Sequence, residues 1–92
     1  WEAVPTEIAL HKNFPNPFNP STTISFDLQT KQPIVLEVFD LSGRKIETLL
    51  KGEFEPGLRN VQWSPRSGTS GTYFYRLVTP TIVQTKTMTF IK

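Results

Sequence analysis

Six short segments of this chain alternate apolar and polar residues with a period of two, and none shows a helical period. Turn-forming residues separate them at intervals of about 8–12 residues, the signature of an all-β sandwich. The clearest is 22–28, where Ile24, Phe26 and Leu28 alternate with Thr23, Ser25 and Asp27. After a polar turn over 29–33, segment 34–39 places Ile34, Leu36 and Val38 on one face and Val35, Glu37 and Phe39 on the other. Segment 45–50 reads as an edge strand because lysines flank it. A loop over 51–56 follows, punctuated by Gly52 and Pro56.

Segment 58–63 points Val61 and Trp63 inward, and the stretch 64–71 is rich in turn residues. Segment 72–78 is the densest, with Tyr73, Tyr75 and Leu77 sharing one face and Phe74, Arg76 and Val78 the other. Trp63, Tyr73 and Tyr75 are therefore expected between the sheets, leaving Phe39 and Phe74 partly exposed on an outer face. Pro80 marks a further turn, and the last strand starts at 82 or 83 and ends at 91. Chain length supports one domain with a thin core and no deep cleft, since about 60–65% of the unfolded surface is buried at this size.

Ahead of these strands, Asn13-Phe14-Pro15-Asn16-Pro17-Phe18-Asn19-Pro20 packs three prolines, three asparagines and two phenylalanines into eight residues. Each proline fixes its own φ and biases the preceding residue toward extended backbone, so a helix is excluded. Both rings have too much apolar area for a free loop, which predicts a rigid lead-in packed along the first edge of the sandwich. Residues 1–9 read as a linker from a preceding domain, and the domain itself as 10–92.

Together these motifs resemble the C-terminal sorting domain, type A, of the type IX secretion system of Bacteroidetes. Residues 10–24 are similar to its L-x-x-N-[FY]-P-N-P-F-N-P-x-T-x-I opening. Val38-Phe39-Asp40-Leu41-Ser42-Gly43-Arg44 resembles its strand ending in a D-x-x-G-[RK] turn. Gly57 to Trp63 and Ser70 to Leu77 resemble its G-x-x-x-x-x-W and [SA]-G-x-Y-x-Y-[RK]-[LV] strands, and residues 85–92 its closing K-x-[ML]-x-[FL]-x-[RK]. Flagellar hook-cap Ig-like domains share the strand–turn–strand pattern and are the nearest competing family.

The resemblance implies an Ig-like antiparallel β-sandwich of about seven strands acting as a non-catalytic address. It would direct a passenger, such as a secreted enzyme carried N-terminal to it, through the periplasm and across the outer membrane to the medium or cell surface. The implied partners are the type IX translocon and a sortase-like protease that removes the domain as the passenger is joined to anionic lipopolysaccharide. By motif position, Lys86, Met88, Phe90, Ile91 and Lys92 are expected to be recognised by the translocon. Asn16, Pro17, Phe18, Asn19, Pro20, Asp40, Gly43, Arg44, Gly71 and Tyr73 are expected to be scaffold, with Asp40 tying the turn through backbone N–H groups.

Other chemistries find little support. The sequence has no cysteine and one histidine, His11, so thiolate sites and a multi-histidine metal site are excluded. Acids are not spaced as in a calcium-binding loop. Ser42, Ser64, Ser67 and Ser70 lie in turns, none within a nucleophile elbow. Asn19-Pro20-Ser21 fails as a glycosylation sequon because proline takes its middle position. A net charge of +2 with scattered basic residues does not point to nucleic acid. No apolar run reaches the ~20 residues of a membrane span. An enzyme is not expected, nor a cofactor. A carbohydrate-binding sandwich using exposed Phe39 or Phe74, and a plain Ig-like spacer or assembly module, are the alternatives.

Overall fold

The computed structural model describes residues 9–66 and 69–92. Seven strands form: β1 (Ala9–Leu10), β2 (Thr22–Leu28), β3 (Gln32–Phe39), β4 (Lys45–Phe54), β5 (Gly57–Trp63), β6 (Gly71–Val78) and β7 (Val83–Phe90). They divide into a three-stranded sheet, β1-β2-β5, and a four-stranded sheet, β4-β3-β6-β7. Every strand pair is antiparallel. The chain crosses between the sheets after β2, β4 and β5, which is the Greek-key wiring of an Ig-like sandwich. Most of the linker expected over residues 1–9 lies outside the described residues, as do Ser67 and Gly68 in the turn-rich 64–71 stretch; Ala9 pairs with Asp27.

Alternation builds the core. Ile24, Phe26 and Leu28 of β2 face Ile34, Leu36 and Val38 of β3, Tyr73, Tyr75 and Leu77 of β6, and Met88 and Phe90 of β7 across a single buried layer. Leu10, Phe18 and Trp63 complete it, with Val61 packed against its rim. Burial of a large apolar side chain stabilises by about 1.5–3 kcal/mol, so each two-residue period adds another such increment. Trp63, Tyr73 and Tyr75 are buried as their alternation predicts, and Phe39 and Phe74 are half-exposed on the outer face.

Two strand boundaries and the placement of one ring differ from the sequence expectation. The turn placed at 29–33 is shorter, because β3 already starts at Gln32 and takes in Pro33. Pro33 lies beyond the last β3–β6 pair, Val35↔Val78, so one side of the strand has no neighbour awaiting an N–H. The loop placed at 51–56 is instead strand up to Phe54, because Gln32 to Ile34 pair with Gly52 to Phe54 and extend the hairpin. Gly52 accommodates this at φ +143°, a conformation for which side-chain-bearing residues are poorly suited. The third difference is Phe14. Its backbone exchanges bonds of 3.0 and 2.9 Å with Thr23. That pairing turns its ring outward, 78% exposed, and puts Asn13 inside.

Both lateral openings of the sandwich are closed by polar side chains that reach across. At one, the Tyr75 hydroxyl donates to the His11 carbonyl at 2.7 Å and Gln84 Oε1 accepts from the Leu10 N–H at 2.9 Å. At the other, Trp63 Nε1 donates to Glu47 Oε1 at 3.0 Å. Strand β4 borders the second opening as an edge of its sheet, as its lysines predict.

Candidate functional site at the closing strand

The lead-in joins the two sheets. Phe14 pairs antiparallel with Thr23 of β2, and four residues later Phe18 bridges Phe90 of β7 in parallel. The Phe18 N–H donates to the Thr89 carbonyl at 2.9 Å, and the Ile91 N–H donates to the Phe18 carbonyl at 3.0 Å. Asn16 Oδ1 accepts from the Thr89 N–H at 3.0 Å. The Phe18 ring is fully buried, edge-on to Trp63 at 6.1 Å and 5.3 Å from Phe90, while Trp63 in turn meets Tyr73 at 5.3 Å. Inside the lead-in, Asn13 Nδ2 donates to the Pro15 carbonyl and to Thr22 Oγ1, which donates to the same carbonyl. These bonds hold the segment's shape; Pro17, Asn19 and Pro20 lie on its exposed side.

The last residues are thereby fixed in place. Met88 and Phe90 are buried in the core, Lys86 is half-buried, and the Ile91 and Lys92 side chains are exposed. The Lys92 N–H donates to Ser70 Oγ at 2.9 Å. Gly71, at φ +147°, pairs with Phe90, and the Tyr73 hydroxyl donates to the Thr69 carbonyl at 2.6 Å. The five residues expected to carry recognition therefore divide by geometry: two anchor the strand from within, and three present atoms outward.

The Asp40 turn lies at the same end of the sandwich. Asp40 Oδ1 accepts from the Ser42 hydroxyl at 2.6 Å and from the Ser42 and Arg44 N–H groups at 3.0 Å each. The Ser42 bond, then the Arg44 N–H, hold the Asp40 carboxyl below its ordinary range. Gly43 turns the chain at φ +90°, and Arg44 Nε stands 3.4 Å from Asp40 Oδ2 with its side chain exposed. A concavity of about 300 Å³ separates this turn from Thr69 to Tyr73.

On the outer face of the four-stranded sheet, Phe39 and Phe74 are cross-strand partners. The Arg76 guanidinium covers the Phe39 ring at 4.5 Å and donates to Glu37 Oε1 at 2.9 Å. Lys45 Nζ is 3.6 Å from Glu37 Oε2. This charged lid was not foreseen from sequence, although Arg76 and Phe39 stand on the predicted outer faces of adjacent strands. His11 Nε2 pairs with Asp27 Oδ2 at 2.9 Å on an exposed surface. Among the described residues no group of three or more His, Cys, Asp or Glu is placed to hold a metal ion. No helix among them is long and apolar enough to cross a membrane.

The chain is similar in structure to dimeric latent PorU from Porphyromonas gingivalis, with a TM-score of 0.70 at 22% identity. That similarity covers 97% of this chain and 10% of PorU, so the chain spans about a tenth of that protein's length and shares its fold there. No curated protein sequence matches the chain. Residues 12–92, from the lead-in to the last residue of β7's extension, match the model of the secretion system C-terminal sorting domain. The chain belongs to that family, the C-terminal sorting domains of type IX secretion.

Proposed function

We propose that this chain performs its sorting role without catalysis, as a rigid mount whose closing residues are read by the type IX translocon. A passenger carried N-terminal to it would follow through the outer membrane to the medium or cell surface. Removal by a sortase-like protease, with attachment to anionic lipopolysaccharide, is the expected fate. One observation carries the reading. Ile91 and Lys92 are pinned through their backbones, by Phe18 and Ser70, while their side chains remain exposed. Lys86, Ile91 and Lys92 form the contact surface; Met88 and Phe90 set its position from the core.

Deleting residues 90–92 would confound recognition with folding, because Phe90 is a core residue. The informative variants are Ile91→Ala with Lys92→Ala, and separately Lys86→Ala, each on a reporter fused ahead of the chain in a type IX-competent host. Circular dichroism of the purified domain should be unchanged while surface delivery of the reporter falls several-fold. Undiminished delivery in both variants would refute the assignment.

The carbohydrate reading is disfavoured by Arg76, which occupies the Phe39 face that a sugar ring would need. A spacer role predicts that the Ile91 and Lys92 substitutions change nothing and that the domain stays on its passenger.

A further inference from the structure

Each sheet ends in edges, and the three long edge strands differ in how they are protected. Strand β4 breaks register with β3 twice, between Leu36 and Glu37 and again between Val38 and Phe39. Such irregularities discourage pairing by another chain. Strand β5 runs beside the Trp63–Glu47 closure. Strand β7 pairs all eight residues with β6 in unbroken register, as β5 does with β2, and carries a closure near its start, where Gln84 Oε1 accepts from the Leu10 N–H.

Among the described residues, backbone pairs with its free side only at the far end. Thr89 offers both its N–H and its carbonyl to the lead-in, and the Ile91 N–H follows. Backbone groups of alternate residues point the same way along a strand. Those of Thr85 and Thr87 must therefore also point away from β6. Both residues are exposed, and no described residue makes a backbone ladder with them on that side.

These groups line a concavity of about 440 Å³ together with Lys12, Asn16 and Lys86. Among the described residues neither lysine is in an ion pair, in contrast to Lys31 and Lys45, which stand beside acids. Asn16 uses its Oδ1 on Thr89, leaving its amide Nδ2 as a donor at the rim. The surroundings therefore combine an open ladder with donors and unneutralised positive charge.

We propose that an extended acidic polypeptide segment adds to β7 at Thr85 and Thr87, with its carboxylates on Lys12 and Lys86. Strand addition supplies the main-chain bonds, and the two lysines select acidic side chains at alternate positions. Phe18 shows that this edge already accepts a strand two residues further along. The inference goes beyond the sorting role and is measured without it: a failure here leaves surface delivery of a passenger untouched.

The test uses the full chain, labelled with 15N, titrated with the synthetic peptide Thr-Glu-Val-Glu-Thr-Glu capped at both ends. Amide shifts concentrated at 85–87 and slowed exchange of the Thr85 and Thr87 amides are expected. Lys12→Glu at an exposed position, combined with Lys86→Glu at a half-buried one, should weaken binding about tenfold or more, as for two partly exposed ion pairs. An equivalent Lys-containing peptide should not bind. Three outcomes overturn the proposal: no shifts at millimolar peptide, equal binding of the basic peptide, or equal shifts with free glutamate, which would indicate a simple anion site. Thr87→Pro gives a second check, since it removes the outward N–H while proline is tolerated at a strand edge. Peptide affinity unchanged in that variant would also overturn strand addition.

Discussion

Two oxygen-bearing side chains show how single residues set the behaviour of this domain. The Tyr75 phenol is buried, which pushes its pKa up to about 12. A raised phenol pKa favours the neutral form in the folded state, so its contribution is intact below the unfolded value of about 10. It is lost as pH rises from about 10 through about 12. Alkaline urea titrations should show that loss in the parent and a flatter limb in Tyr75→Phe. That variant also leaves the His11 carbonyl short of its donor, at a cost of about 1–3 kcal/mol at neutral pH. Asp40 has the opposite sign. Its lowered pKa, caused chiefly by the Ser42 hydroxyl, stabilises above the ordinary carboxylate value of about 3.9 and is lost as pH falls through the folded value. In Asp40→Asn the acid limb of stability should be shallower; an identical limb would show that the turn is not linked to protonation.

At the scale of elements, the inside and outside of each strand could be read from sequence because a two-residue period has only two faces. The ends could not. Pro33 and Gly52 are ordinary stop signals, yet β3 and β4 run through them because each supplies the other with a pairing partner, which local composition does not reveal. The lead-in was legible as rigid and packed, but its two phenylalanines were not distinguishable. Only the pairing of Phe14 with Thr23 decides that one ring faces water and the other fills the gap beside Trp63. Likewise the closing pattern marked residues 86–92 as a unit, while burial separates Met88 and Phe90 from Ile91 and Lys92. Asn16→Ala tests the join between these elements. Amide exchange should accelerate at Thr89, with a stability loss of about 1 kcal/mol for the missing bond.

For the whole molecule, closure depends on contacts between distant parts of the chain: Leu10 meets Gln84 74 residues away, and Tyr75 meets His11 64 residues away. Phe18 is the apolar counterpart of these polar ties. Phe18→Ala removes a ring packed on both Trp63 and Phe90 and should cost about 3–5 kcal/mol, read as a lower urea midpoint. A small sandwich has a total stability of about 5–15 kcal/mol, so this one change removes a large share. Wild-type stability in that variant would mean that Phe18 is a bystander in the core.

Phe18 also gives the tail a dependence on timing. The lead-in is synthesised before any of β7, and the tail has no fixed posture until that earlier segment receives it. A chain that is misfolded or clipped near its beginning still carries Ile91 and Lys92, but presents them loosely. An exporter that requires those residues in their seated position would thus inspect the integrity of the whole domain while reading only its last few atoms.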